Sequence, residues 1–421
     1  MRNKDYFKGK KVTVVGLARS GISCARLLAK SGALVGVTDS QDNAAIRAAG
    51  SQLKSHGIKV ELGRHTIGFL RGRDLVVTSP GVPDKSPPLK WAASFGIPVI
   101  SEIEAAWLLS PAEVIAVTGS NGKTTVTTLI GMVLKEAGKR AVTCGNIGNP
   151  FSGEVERLRA GDFVSLEVSS FQLETISNFK PRIAVILNFS RNHLDRYRSM
   201  RQYLAAKARI FMNQDNADFL VINRQEEVLK IIAGRARSRI VYFSPSKEFN
   251  ANQAAVMAVA SILGIGKDKV IRAFRRFKGI EHRLEEAGRV RGVRFINDSK
   301  STTVDATVWA LRNIDYPCIL IAGGREKGND YATVRGLVRR KVREAVLIGE
   351  ARGKIRRAFR GVVPLREAVD LEEAVRIAFS LAVRGESVLF SPMCKSFDMF
   401  ANYEERGRVF KSAVGLLARG S

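Results

Sequence analysis

The run Val114-Ile-Ala-Val-Thr-Gly-Ser-Asn-Gly-Lys-Thr-Thr125 holds the densest set of chemically useful residues in the chain. An apolar strand leads into Gly119 and Gly122, then a helix begins. The glycines let the backbone close around phosphate oxygens, and the helix turns its free N–H groups toward the anion. Lys123 can neutralise the β/γ charge of a nucleotide, and the Thr124 hydroxyl is of the kind that meets Mg²⁺ in such loops. Val117 stands where the longer phosphate loop has its first glycine, so this is the shortened T-G-x-x-G-K-T form. The stretch Gly119, Ser120, Asn121, Gly122, Lys123, Thr124 and Thr125 is thus expected to bind the phosphates of a nucleotide.

A second strand–turn–helix, Val12-Thr-Val-Val-Gly-Leu-Ala-Arg-Ser-Gly21, reads either as a phosphate-binding turn or as a purely structural one, because Ala18 replaces the middle glycine of G-x-G-x-x-G. Asp39 ends the next strand, where an acid often meets a ribose or base, and Ser79-Pro-Gly-Val82 adds a turn at the same sheet edge. Glu167 closes an apolar run that should not bury a bare carboxylate. His193 follows the strand at 183–187 and reads equally as a structural residue and as a metal ligand. Mg²⁺ prefers oxygen donors, which favours Glu167 and Thr124. Lys207, among small residues on an expected helix, reads by composition as a solvated surface lysine. Later, Asn297–Thr303, Gly323–Gly328 and Ser391–Phe400 follow strands and carry hydroxyls, lysines and free N–H groups suited to a small anion.

These groups need a scaffold. Short runs rich in Val, Ile and Leu at 12–15, 33–37, 75–78, 114–118, 163–168, 183–187, 219–222, 240–243, 293–296, 318–322, 345–348 and 388–390 fit buried strands. Segments 23–30, 124–137 and 203–212 carry helical spacing. Such alternation predicts an α/β protein of mostly parallel sheets with helices on both faces and ligands at the carboxyl ends of the strands. At roughly 150 residues per domain, 421 residues suggest three domains. Loop-like boundaries are expected near 98–104 and 278–281. The 45% apolar content excludes disorder. Four scattered cysteines read as reduced thiols rather than a disulfide or zinc framework. With no apolar run near the length of a membrane helix, the expected setting is intracellular, without a membrane partner. The 68 Lys plus Arg against 40 Asp plus Glu leave a net charge of +28. Its densest stretches, 272–278 and 335–360, lack the aromatic interleaving of an RNA-binding sheet and read as solvated helix faces, with nucleic acid at most a nonspecific partner.

Taken in order, Thr118–Thr124, Leu166–Glu174, Asn188–Tyr197, Glu281-His-Arg283, Asn297–Lys300 and Leu389–Gly407 resemble the Mur ligase family of ATP-dependent amide-forming enzymes over essentially the whole chain. The last of these stretches resembles its D-glutamate-adding members. The resemblance implies an N-terminal Rossmann-like domain (1–101) for a UDP-linked substrate, a central P-loop ATPase-like domain (102–280) and a C-terminal Rossmann-like domain (281–421) for the amino acid. It implies a monomeric cytoplasmic ligase that uses ATP and Mg²⁺ to add D-glutamate to UDP-N-acetylmuramoyl-L-alanine through an acyl phosphate. That step belongs to peptidoglycan precursor synthesis, and so to cell shape and division. By the same resemblance, Lys123, His193 and Lys207 are catalytic. Thr124, Glu167, His193 and Lys207, the last as a carbamate, serve magnesium. Asn250, Arg283 and Asp298 join the phosphate loop at ATP. Arg19, Ser20, Asp39, Ser40, Gly81 and Asn146 meet the UDP substrate. Lys300, Thr302, Lys327, Ser396 and Tyr403 hold D-glutamate, whose two carboxylates need cationic and hydroxyl partners.

The chain departs from the family pattern at Phe249-Asn-Ala-Asn-Gln253, where His-Asn-x-x-Asn is usual, at Asn192, where an Asp is usual, and at Lys395, where a small residue is usual. Two rivals remain open. A folylpolyglutamate-type ligase lacks the UDP domain, against which the roughly 100 residues before Glu102 argue. A nucleic-acid-binding protein on an inactive ligase fold would have no need of Lys123, Glu167, His193 and Lys207.

Overall fold

Parallel strands buried on both faces can be built only from continuous apolar runs, and all twelve runs named above form strands. A computed structural model describes residues 5–190, 196–314, 317–326 and 328–419. The chain divides into two compact units, Met1–Phe277 and Lys278–Ser421.

The first unit holds two sheets. One contains β1 (Lys11–Val15), β2 (Leu34–Asp39), β3 (Lys59–Leu62), β4 (Leu75–Thr78) and β5 (Val99–Ser101), all parallel, in the order β3-β2-β1-β4-β5. The other contains β6 (Glu113–Thr118), β7 (Ala141–Gly145), β8 (Phe163–Glu167), β9 (Ile183–Ile186), β10 (Phe219–Asn223) and β11 (Arg239–Phe243), again all parallel, in the order β11-β10-β9-β6-β8-β7. The stretch 98–104, read as loop-like from the sequence, is instead β5 running straight into the helix Glu102–Leu109. All eight residues of that helix are buried. Its apolar side chains lie in one core with Val12, Val14, Val114 and Ala116, so one core serves both sheets. The Glu104 carboxylate accepts three backbone N–H bonds, from Ser177 (3.0 Å), Asn178 (2.7 Å) and Phe179 (2.8 Å), which compensates its burial.

The second unit is a single sheet of β12 (Glu285–Val290), β13 (Val293–Asn297), β14 (Cys318–Gly323), β15 (Val342–Ile348), β16 (Leu365–Glu367) and β17 (Ser387–Phe390), ordered β12-β13-β17-β14-β15-β16. Only the β12–β13 pair is antiparallel. Helices cover both faces, as the two separate cores on either side of this sheet require. The predicted helix 203–212 is the helix Met200–Ala208 followed by a 3₁₀ turn, Arg209–Phe211.

In each sheet the strand order reverses beside a central strand, and ligands of open α/β sheets gather at such reversals. β1 lies between β2 and β4, β6 between β8 and β9, and β17 between β13 and β14. The loops leaving these strands carry most of the residues singled out by the sequence.

Candidate active site

At β6 the phosphate loop is closed on itself. Gly122 caps the helix Lys123–Glu136 in the left-handed region, φ +81°, and a Cβ there would meet Asn252 Oδ1 at 2.4 Å, so any other residue would be strained. Lys123 folds back to donate from Nζ to the carbonyls of Gly119 (2.9 Å) and Ser120 (3.1 Å). The loop after β9 braces it from one side. The Asn188 amide clasps Asn121, accepting from its N–H (2.9 Å) and donating to its carbonyl (3.2 Å). The Ser120 hydroxyl accepts from Ser190 N (2.9 Å). Ser120 N–H is bonded to Asn188 O (3.2 Å). Thr124 and Thr125 lie on the first turn of the helix.

On the other side of β6, β8 ends in Glu167, whose backbone is in register with Val117. Glu167 is buried, Oε1 accepts from Asn146 Nδ2 (2.8 Å), and Oε2 has no hydrogen-bond partner among the described residues. A buried carboxylate oxygen left unpaired beside a phosphate loop suits a hard divalent cation such as Mg²⁺. Asn146 is thereby placed against the carboxylate as well as on the loop leaving β7.

Lys207 corrects its composition-based reading. It is not solvated but 1% exposed, and its Nζ donates to Gly119 O at 2.9 Å and lies 4.6 Å from the Tyr203 ring centroid. Burial first, and the nearby Lys123 charge second, hold its pKa well below the usual lysine range. The sequence could not show this, because the lysine is covered by residues far from it along the chain. His193 and Asn192 lie outside the described residues.

At the first sheet, Asp39 spends both carboxylate oxygens on backbone N–H groups, of Leu17 (2.6 Å) and Gln41 (2.8 Å), and so fixes the turn after β1. Gly21 packs so tightly on that turn that a Cβ would sit 1.8 Å from Gly16 O. The helix Arg19–Lys30 opens at Arg19 and Ser20, with Ala18 providing no side-chain cap and no acid in the first turn, a setting that suits an anion. Ser79 Oγ donates to Gly16 O (3.2 Å), bringing the Gly81 turn to the same edge, and Ser40 is exposed at the end of β2.

Asn250 caps the helix Ala251–Ile262 and forms a reciprocal capping box with Gln253, each backbone N–H meeting the other's side chain at 3.1 Å. The departure to glutamine therefore has a structural use, and Asn252 in the same stretch packs on the phosphate loop.

In the second unit Asp298 is fully buried after β13. It accepts from Leu284 N–H (3.3 Å) and the Ser391 hydroxyl (2.7 Å), tying the turn that carries Arg283 to the end of β17. Burial pushes its carboxyl up to about 6, against the lowering effects of Ser301, Arg283 and Ser391. The Arg283 guanidinium lies 5.4 Å from the centroid of Trp309. Lys300 Nζ lies 5.9 Å from the Tyr403 ring, and Thr302 follows on the same loop with its N–H on Lys300 O (3.0 Å). The sequence reading gave no role to Arg406, which is wholly buried. It donates to Ser299 Oγ (3.1 Å), Ser299 O (2.8 Å) and Cys394 O (3.1 Å), joining the Lys300 loop to the loop of the buried Ser396. Its place in the Asn402–Gly407 run was the only available signal. Lys327 lies outside the described residues, and Lys395 is exposed.

A strand-end phosphate loop, a buried carboxylate beside it and a buried lysine with a depressed pKa are equipment that suits an ATP-dependent ligase. Domain models agree along the chain: Mur ligase MurD-like N-terminal domain at 10–101, Mur ligase middle domain at 117–265, and Mur ligase glutamate ligase domain at 282–394. The chain is 40% identical to the UDP-N-acetylmuramoylalanine--D-glutamate ligase of Koribacter versatilis (strain Ellin345), over 98% of each chain. It is 41% identical to the protein of the same name from Geotalea daltonii (strain DSM 22248 / JCM 15807 / FRC-32), over 98% of this chain and 99% of that one. The chain belongs to the Mur ligase family. Among solved structures, UDP-N-acetylmuramate-alanine ligase from Thermotoga maritima matches with a TM-score of 0.61 at 18% identity, covering 97% of this chain and 99% of that one. MurF ligase of the same organism, in complex with ADP, matches at 0.58 and 13%, covering 100% and 98%. These two share the fold.

Proposed function

We propose that the chain joins D-glutamate to UDP-N-acetylmuramoyl-L-alanine, with conversion of ATP to ADP and phosphate. The meeting of Lys123 and Lys207 on the Gly119 carbonyl, beside the Glu167 strand, carries the reading as a ligase. The choice of D-glutamate rests on the relatives named above. We assign 1–101 to the UDP substrate, 102–280 to ATP and 281–421 to D-glutamate. The setting is cytoplasmic and the enzyme a monomer; no helix among the described residues is long and apolar enough to cross a membrane.

The chemical difficulty is that a carboxylate must approach a polyphosphate. Phosphate-loop N–H groups and Lys123 offset that repulsion, and preorganised charge of this kind is worth most where water is excluded. The L-alanyl carboxylate takes the γ-phosphoryl group, giving an acyl phosphate and ADP. The D-glutamate amine attacks the acyl carbon, the tetrahedral intermediate expels phosphate, and the amine proton is lost. Asp39, Ser40, Arg19, Ser20, Gly81 and Asn146 orient the UDP substrate. Lys300, Thr302, Lys327, Ser396 and Tyr403 hold the glutamate carboxylates, with Arg406 fixing their two loops. Thr124, Glu167, His193 and Lys207 as a carbamate would hold Mg²⁺, which supplies charge neutralisation at the transferring phosphoryl group. A neutral Lys207 amine is the form that adds CO₂, becoming an anion and releasing one proton.

The test is phosphate release from ATP with UDP-N-acetylmuramoyl-L-alanine and each candidate amino acid. Turnover with D-glutamate alone is expected. Equal turnover with L-glutamate, L-alanine or a diamino acid would place the chain elsewhere in the family.

A further inference from the structure

Besides the packed helix Glu102–Leu109, an ion-pair clamp bridges the two sheets of the first unit. Asp84 follows the Gly81 turn, and Glu174 ends the short helix Ser170–Glu174 that comes after Glu167. Both carboxylates accept from the same atom, Nη2 of Arg196, Glu174 at 2.8 Å. The guanidinium lies 4.3 Å from the ring centroid of Phe171. Phe171 stacks on Tyr197 at 6.0 Å, and the Tyr197 hydroxyl donates to Glu174. Tyr197 packs on Tyr203 at 5.1 Å, and Tyr203 carries Lys207 Nζ over its ring at 4.6 Å. An unbroken line of contacts thus runs from the turn assigned to the UDP substrate to the lysine on the phosphate loop.

We propose that Arg196 is a positioning residue that couples the 79–84 turn to Lys207. The coupling rests on the functional reading above for the identity of the ligand at the turn. The two arms of the clamp differ in strength. The Glu174 arm is sheltered, with side-chain exposures of 21% and 20%, and is backed by the Phe171 ring. The Asp84 arm is exposed on its acid side, 59%, and an ion pair so open to solvent is weak. Asp84, Glu174, Arg196 and Ala206 also border an open cavity of about 530 Å³, so the clamp spans space rather than packed core. The weak arm is therefore the one that can form and release. A ligand that holds the 79–84 turn favours its formation, and by reciprocity a well-placed Lys207 favours that ligand. Arg196 itself touches neither nucleotide nor reacting atoms in this role.

Asp84→Asn alters an exposed side chain and leaves folding intact, so it carries the test, with Arg196→Gln as its partner. Two quantities are read on the full chain. One is the rate at which acetic anhydride acetylates Lys207, followed by mass spectrometry without any substrate. The other is the KM for UDP-N-acetylmuramoyl-L-alanine and kcat. Each single variant should speed Lys207 acetylation several-fold. Each should raise the UDP-substrate KM about 5- to 10-fold and lower kcat, with the ATP KM within two-fold of wild type. The double variant should be no worse than the stronger single one. Unchanged Lys207 acetylation in both variants, or effects that simply multiply, overturns the coupling. Absence of D-glutamate-dependent phosphate release by the wild type overturns the functional reading instead, and the acetylation result still decides the coupling.

Discussion

Lys123 and Lys207 each place their side-chain nitrogen 2.9 Å from a single acceptor, the carbonyl oxygen of Gly119. Burial first, and the neighbouring Lys123 second, depress the pKa of Lys207.

The depressed pKa predicts the behaviour of Lys207→Ala. Turnover should fall on the order of 100-fold or more, and millimolar formate or acetate should restore part of it, because a small carboxylate can replace the carbamate group in the space left by the side chain. Phosphate-release assays with and without added carboxylate decide the matter. Loss without rescue would assign Lys207 a role as an amine.

Glu167→Gln keeps an oxygen for the Asn146 bond and removes the charge. Because Oε2 is buried and meets no hydrogen-bond partner among the described residues, the variant should melt at or above the wild-type temperature. Its turnover should nevertheless drop on the order of 100-fold, with a higher Mg²⁺ requirement. A Mg²⁺ titration of activity alongside thermal melts checks both; normal Mg²⁺ dependence would remove Glu167 from the metal site.

Gly122→Ala forces a side chain into a left-handed backbone, about 1–2 kcal/mol, and against Asn252 Oδ1. The ATP KM should rise at least 10-fold while the UDP-substrate KM holds. Adding Asn252→Ala should recover part of the loss, since it removes the clash and not the strain. Full recovery would show that the backbone there tolerates any residue.

Asp298 gives a pH signature. Its folded carboxyl titrates at about 6, above the usual value near 4, so its contribution to stability is complete when it is protonated and is lost as pH rises from about 4 to about 6. The loss is on the order of 3 kcal/mol. Asp298→Asn can still accept from Leu284 N–H and meet Ser391, and it should flatten the stability profile across that window. Denaturant unfolding at pH 4 and pH 6.5 provides the comparison, and equal slopes in both proteins would refute the assignment.

What the sequence hides is as physical as what it shows. The five strands without a clear apolar run, β3, β5, β7, β12 and β16, are all at sheet edges. The side chains of β3, β7, β12 and β16 are largely half-exposed, so these strands carry no continuous apolar pattern, and β5 is only three residues long. The phosphate loop and Glu167 were legible because their chemistry is local, a glycine turn and an acid closing an apolar strand. Lys207 and Arg406 were not, because nothing along the chain tells a buried cation from a solvated one. Both are buried by contacts that only the folded chain makes: Lys207 bonds to Gly119, 88 positions away, and Arg406 to Ser299, 107 away. The pairing of Asn250 with Gln253 shows the opposite case, a local motif whose departure from pattern made sense only as a helix cap.

The four cysteines offer a built-in clock for unfolding. Cys24 and Cys144 are buried in the first unit, Cys318 and Cys394 in the second. Burial raises every one of these thiols, the last two to about 12 and about 11. The native chain therefore offers a disulfide dye almost no thiolate to attack. Colour developing over time will count openings of the structure, and mapping which sulfur is labelled first will tell which half of the molecule breathes more often.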